Sequence, residues 1–143
     1  MNKNNKFSLT FSAVSENESF ARSVIACFAL QLNPSIAEIS DIKTAVSEAE
    51  TNSIVHGYPF GDGQIILEAE ICGDEIHINI FDNGVGIENV QEALEPFYTT
   101  KPEEERSGMG FTIMQSFMDK VNVTSEKNKG TKIFMCKKIK NNQ

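Results

Sequence analysis

No apolar run in this chain approaches the roughly 18 residues needed to cross a bilayer. The polar start Met1-Asn2-Lys3-Asn4-Asn5-Lys6 also lacks the apolar stretch of a signal peptide. A cytoplasmic protein without a membrane partner is expected. Cysteine is scarce: Cys27, Cys72 and Cys136 are far apart, odd in number and set among apolar neighbours. Their spacing gives neither a zinc pattern nor a disulfide framework, so three buried free thiols are expected. Basic charge is short as well, with 13 Lys and Arg against 20 Asp and Glu, a formal charge of −7 at pH 7. Such a surface repels a phosphate backbone on average, which argues against nucleic acid as a direct partner. A basic protein partner would suit it better, although solubility accounts for most of the charge.

What is present fits an ordinary globular chain, with 40% hydrophobic and 23% charged residues. Its 143 residues are enough for one domain with a real core and too few for two ordinary ones. Phe7, Leu9, Phe11 and Ala13 alternate with polar residues as in a half-buried strand. Ser15 with Glu18 forms a capping-box pattern for a helix to about Leu32, and Asn33-Pro34 reads as N-cap and first position of the next. That second helix should stop at Gly57 in a left-handed C′ conformation. Ile65, Leu67, Ala69 and Ile71 then share one strand face, and Gly73-Asp74 turns the chain into a strand bearing Ile76, Ile78 and Ile80.

A short helix is expected over 88–95, a mobile segment over 96–107, a helix from Gly108 to about Lys120, and strands over 121–126 and 131–139. The basic tail from Lys137 reads as frayed. The pattern therefore predicts a single α/β (α+β) domain over 1–143, a two-layer sandwich whose helices cover one face of a mostly antiparallel mixed sheet.

Three segments carry chemistry. On the second helix, Ile39, Ile42, Val46, Ala49 and Ser53 form the inward stripe, and Glu48 and Asn52 fall about 40° apart on one flank of it. Asn52 offers an amide oxygen that suits Mg²⁺, and Glu48 can polarise a hydroxyl or a water. Taken alone, the pair reads as an exposed polar helix edge. Glu50 projects about 200° from Glu48, away from that flank.

Asp82 falls on the core face with Ile76, Ile78 and Ile80, where a carboxylate requires a donor such as an adenine amino group. Gly84 and Gly86 would let the backbone pass close to a base, although Asp82-Asn83-Gly84 is also a turn sequence. Gly108-Met109-Gly110 opens a helix whose free N–H groups can hold phosphate, or else is a flexible loop. Lys101 and Arg106 can reach a γ-phosphate or pair with Glu103, Glu104 and Glu105. His56 and His77 share no motif, and Glu18 with Arg22 reads as a surface pair one turn apart.

Glu48-x-x-x-Asn52, Asp82-Asn83-Gly84-Val85-Gly86, Pro96-Phe97-Tyr98-Thr99-Thr100-Lys101 and Gly108-Met109-Gly110 resemble the boxes of the GHKL (Bergerat-fold) ATPase and kinase superfamily. Ser15-Glu16-Asn17-Glu18-Ser19-Phe20-Ala21-Arg22, His56-Gly57-Tyr58, Phe97-Tyr98-Thr99-Thr100-Lys101-Pro102 and Glu105-Arg106-Ser107-Gly108-Met109-Gly110-Phe111 bring it closer to the anti-sigma F factors, which it resembles, serine kinases of spore-forming bacteria. The resemblance implies ATP or ADP as bound nucleotide, with Asn52 on Mg²⁺ and Asp82 reading adenine beside Gly84, Gly86 and Thr131. It makes 96–110 a lid that brings Thr99, Lys101, Arg106, Ser107, Gly108, Met109 and Gly110 to the nucleotide. Glu48 becomes general base toward an acceptor serine, with Lys101 and Arg106 stabilising the γ-phosphate. It also implies a homodimer that sequesters a sigma factor, and an anti-anti-sigma protein that displaces it and is phosphorylated. Glu18 and Arg22 would hold those partners. Glu50 departs from the family, which usually has a small or apolar residue there.

Three other readings stay open: the ATP-binding domain of a histidine kinase, an ATPase in which Glu48 activates water, and a non-catalytic anti-sigma module. The first would need a helical hairpin with a phosphoacceptor histidine, and neither precedes Phe7.

Overall fold

The computed structural model describes residues 4–59, 61–87, 90, 94 and 110–140. Strand β1 (Asn4–Ser12) leads to helix α1 (Asn17–Ala29), a 3₁₀ turn (Leu30–Leu32) and helix α2 (Ile36–Thr51), which continues as a π-helical turn (Asn52–Gly57). Strands β2 (Gln64–Cys72) and β3 (Glu75–Asp82), helix α3 (Gly110–Phe117), and strands β4 (Lys120–Glu126) and β5 (Gly130–Lys138) complete the described elements. The strands lie in the order β1-β2-β3-β5-β4, and every pairing among them is antiparallel.

Period-two alternation decides the faces. Ile65, Leu67, Ala69 and Ile71 on β2 and Ile76, Ile78 and Ile80 on β3 are all buried, and the register sets Leu67 opposite Ile80 and Ala69 opposite Ile78. Ile133 and Met135 extend this face onto β5. Against it pack Ala21, Ile25 and Ala29 of α1, Ile42, Ala45, Val46 and Ala49 of α2, and Phe111 and Met114 of α3, forming one core. The opposite face carries Ile66, His77, Asn79, Phe81 and Phe134, which remain half-buried.

Several element ends differ from expectation. Glu16 is already helical, so the Ser15–Glu18 box does not form, and only the Ser15 carbonyl meets the Glu18 N–H. Asn33 does not cap α2. Asparagine tolerates the left-handed region, and here it takes φ +51° to end the 3₁₀ turn. Ser35 is the N-cap instead, in a reciprocal box with Glu38. The second helix does end at Gly57, but not through a left-handed glycine, since Gly57 is absent from the positive-φ residues. A π-type bond from the Tyr58 N–H to the Ser53 carbonyl closes it at 3.0 Å.

The tail is anchored rather than frayed through Lys140. Lys137 Nζ donates to the Phe117 carbonyl at 2.7 Å, Ile139 is buried, and the Lys140 N–H meets Glu38 Oε2 at 2.8 Å. The cysteines are free but not buried: Cys27 is exposed, and Cys72 and Cys136 are half-buried. Cys27 lies on the side of α1 away from Ala21, Ile25 and Ala29, while alternation sends Cys72 and Cys136 to the outer sheet face. The helix expected over 88–95 falls outside the described residues except at Val90 and Leu94, where the Leu94 N–H bonds the Val90 carbonyl. No described helix is long and apolar enough to cross a membrane.

Candidate nucleotide site

Asp82 is the last residue of β3, on the core face and 5% exposed. Its Oδ2 accepts from Ser53 Oγ at 2.8 Å and its Oδ1 from the Gly84 N–H at 2.9 Å. Both sequence readings of Asp82 therefore hold together: it is a core-facing carboxylate, and it opens an Asp-Asn-Gly turn. Burial raises its pKa above the ordinary carboxylate value, with the Gly84 N–H, the Ser53 hydroxyl and the Thr131 backbone pulling the other way.

The helix end is built around this carboxylate. Gly57 leaves room for it, since a Cβ there would lie 3.1 Å from both Asp82 oxygens. The Val85 N–H donates to the Gly57 carbonyl at 2.8 Å, and a Cβ on Gly84 would overlap that carbonyl. Gly84 thus lets two stretches of the protein's own backbone meet. Gly86, at φ +77°, packs against the Glu126 carbonyl. Tyr58 closes the outer side, its hydroxyl accepting from the Asn83 N–H and donating to the Gln64 carbonyl, both at 2.7 Å.

Thr131 stands opposite Asp82 in the β3–β5 register and is 5% exposed. Its Oγ1 lies 2.8 Å from Ser125 Oγ, which accepts from the Ile87 N–H at 2.7 Å. Ser53, Asp82, Thr131 and Ser125 thus carry polar groups across the top of an otherwise apolar core. Glu48 and Asn52 are both half-buried, one turn apart, and Asn52 immediately precedes Ser53 where α2 widens into the π turn.

These residues fit an adenine nucleotide. A carboxylate offers about four lone-pair positions, so Asp82 keeps acceptor capacity for an exocyclic amine beside its present donors. The Asn52 amide and the Glu48 carboxylate are oxygen donors of the kind Mg²⁺ takes. Gly110 is the first residue of α3 and half-buried. Thr99, Lys101, Arg106, Ser107, Gly108 and Met109 lie outside the described residues.

Glu18 and Arg22 are half-buried on α1, and Arg22 Nη1 donates to Ser47 Oγ of α2 at 3.1 Å. Glu50, expected to point away from the pocket, is buried in the core. It is 1% exposed, and neither carboxylate oxygen has a hydrogen-bond partner among the described residues. Burial, and then the charge of Glu18, push its pKa up to about 9, against a smaller pull from Arg22. Sequence reasoning missed this burial, although Glu50 follows Val46 by one helical turn and borders the apolar stripe. It also placed Ser53 on that stripe without pairing it to Asp82.

The sheet, the helical layer and the polar pocket at the end of β3 define a histidine kinase-like ATPase domain, a nucleotide-binding fold. The family of that description matches residues 11–137. Over 136 residues the chain is 61% identical to an anti-sigma F factor of Clostridium perfringens (strain SM101), with 94% of this chain and 97% of the relative covered. It is 56% identical over 135 residues to an anti-sigma F factor of Clostridium acetobutylicum, covering 94% of each. The chain belongs to the anti-sigma F factor family. Among solved structures, the RsbU and RsbW domains of Rv1364c from Mycobacterium tuberculosis superpose with a TM-score of 0.67 at 15% identity, over 94% of this chain and 32% of that one. The catalytic domain of histidine kinase ThkA gives 0.59 at 14% identity, over 93% and 96%. At those identities the two structures show the fold alone.

Proposed function

We propose that this protein is an ATP-dependent serine kinase and sigma-factor antagonist. In this reading it sequesters a sporulation sigma factor and phosphorylates, and so inactivates, the anti-anti-sigma protein that opposes it. The observation that carries the reading is the buried Asp82 carboxylate, held by Ser53 and Gly84 opposite Thr131, with Glu48 and Asn52 on the adjoining helix end. The name borne by relatives at 56–61% identity supports a sigma factor as partner, and the −7 charge suits a basic partner surface.

Each residue then has a task. Asp82 accepts from the adenine amino group, with Gly84, Gly86 and Thr131 beside it. Asn52 would hold Mg²⁺, which when bound neutralises charge on the phosphates. Segment 96–110 folds over the nucleotide, its Lys101 and Arg106 countering charge at the γ-phosphate and its Thr99, Ser107, Gly108, Met109 and Gly110 lining the phosphate path. Glu48 orients the acceptor serine and takes its hydroxyl proton. Phosphoryl transfer needs mostly positioning and charge neutralisation, which these groups supply. Glu18 and Arg22 contribute to the partner surface, and the active unit is a homodimer of single-domain chains.

The test is to mix the protein and Mg-ATP with a recombinant sporulation sigma factor and a candidate anti-anti-sigma protein. Nucleotide-dependent retention of the sigma factor and a phosphoserine on the second protein are expected. Free phosphate without phosphoserine would make the protein an ATPase. Retention with neither product would make it a non-catalytic module.

A further inference from the structure

The outer face of the sheet, remote from the nucleotide pocket, gathers side chains that the proposed reaction does not use. The β3–β5 register sets His77 opposite Cys136, and the β2–β3 register sets Cys72 opposite Glu75. Alternation turns all of these away from the core, since Ile76, Ile78, Ile71 and Met135 occupy the inner positions. As a result a Glu75 carboxylate oxygen, a His77 ring nitrogen and the Cys136 sulfur lie within 4.8 Å of one another, all three residues half-buried.

We propose that Glu75, His77 and Cys136 form a binding site for a borderline-soft divalent cation, zinc above all. One oxygen, one nitrogen and one sulfur make a mixed set that hard cations such as Mg²⁺ or Ca²⁺ do not select, because those take oxygen ligands almost alone. Zinc accepts all three donor types at about 2.0–2.3 Å in tetrahedral geometry. Ligand atoms around such an ion stand about 3.3–3.7 Å apart, so small side-chain rotations close the present triangle. Three protein ligands leave the fourth position open to water.

The support around His77 strengthens the assignment. Its Nε2 lies 2.8 Å from Glu75 Oε1, while Cys72 Sγ lies 3.9 Å from Nδ1 on the other side of the ring. A metal-bound histidine regularly has its second nitrogen held by another group, and Cys72 takes that place. Phe134 packs edge-on against the same ring at 5.6 Å between centroids, which restrains its rotation. On binding, the Cys136 thiol releases its proton to solvent as the metal–sulfur bond forms. The ion would tie β3 to β5 at the end of β3 opposite Asp82, about 20 Å away along the strand. The linear spacing of 75, 77 and 136 hides the cluster, and only the strand register assembles it.

Zinc titration of the full chain by calorimetry, in reducing agent-free buffer and on a Cys27→Ser background, tests the proposal. Cobalt(II) absorption reports thiolate ligation in parallel. One ion per chain is expected, with a thiolate-to-cobalt band and a zinc-dependent rise in Tm. His77→Gln and Cys136→Ser should each weaken binding at least about tenfold while leaving the circular dichroism unchanged. Asn52→Ala should leave zinc binding intact, which separates this site from the Mg²⁺ site. No binding, or binding untouched by either His77→Gln or Cys136→Ser, would overturn the proposal and leave an ordinary Glu75–His77 ion pair.

Discussion

The Ser53 hydroxyl donates to Asp82 Oδ2 at 2.8 Å, joining the π turn after α2 to the last residue of β3 inside the core. Ser53 continues the inward stripe of Ile42, Val46 and Ala49, and it meets Asp82 where the helix widens into the π turn. The bond leaves the other carboxylate oxygen to the Gly84 N–H. It fixes the carboxylate while leaving it acceptor capacity toward the pocket.

Asp82→Asn keeps the volume but replaces one acceptor oxygen with a donor that faces the Ser53 hydroxyl and the adenine amine. Adenine-nucleotide affinity should fall at least about tenfold, the size expected for losing a hydrogen bond to a charged group. Calorimetry with ADP reads it, with circular dichroism confirming the fold. An unchanged dissociation constant would remove Asp82 from base recognition.

Gly57→Ala tests the close approach. The residue carries no positive-φ strain, so its effect comes from the new methyl meeting both Asp82 oxygens at 3.1 Å. A loss of roughly 1–3 kcal/mol in urea unfolding is expected, as for other overpacked sites, together with weaker nucleotide binding. A substitution neutral in both would show that the pocket has slack.

Glu50 gives a pH signature. Its carboxyl ionises at the ordinary 4.5 in the unfolded chain, and burial pushes it up to about 9 in the fold. Below the lower value it is neutral in both states and adds no pH dependence to stability. As pH rises from there toward about 9, the unfolded chain releases a proton that the fold retains, so stability falls, by roughly 3 kcal/mol at pH 7. Above about 9 the loss levels off. Denaturant melts between about pH 5 and about pH 8 should show this decline in wild type and lose it in Glu50→Gln. Equal slopes in the two proteins would mean that Glu50 is ionised in the fold.

Asn52→Ala removes the amide oxygen without disturbing the buried Ser53 beside it. Mg-ATP affinity should fall several-fold or more, while affinity for metal-free nucleotide changes little. Parallel calorimetric titrations with Mg²⁺ and with EDTA separate the two. Equal losses in both would argue for a packing effect rather than metal ligation.

The strands were legible because their apolar residues alternate cleanly from Ile65 to Ile80, and Asp82 stood out by continuing that alternation with a charge. The π turn was not legible. It lies where Ser53 and Gly57 meet Asp82, residues 29 and 25 positions away along the chain. Helix starts were misplaced because Ser15 and Ser35 both offer a capping pattern in the sequence and only Ser35 uses it. The burial of Glu50 was not legible, because an angle measured from Glu48 says where a side chain is not, and α1 covers the side it does face. The metal cluster needed strand register, which no spacing along the chain reveals.

The measurement that bears most directly on the account is transfer of γ-labelled phosphate from Mg-ATP to a candidate anti-anti-sigma protein, by wild type and by Glu48→Gln of matched nucleotide affinity. The account predicts label on a partner serine with wild type and a loss of at least about 100-fold in the variant, the scale of general-base catalysis. Transfer by Glu48→Gln at near the wild-type rate would contradict the assignment of Glu48, and absence of transfer by wild type would contradict the kinase itself.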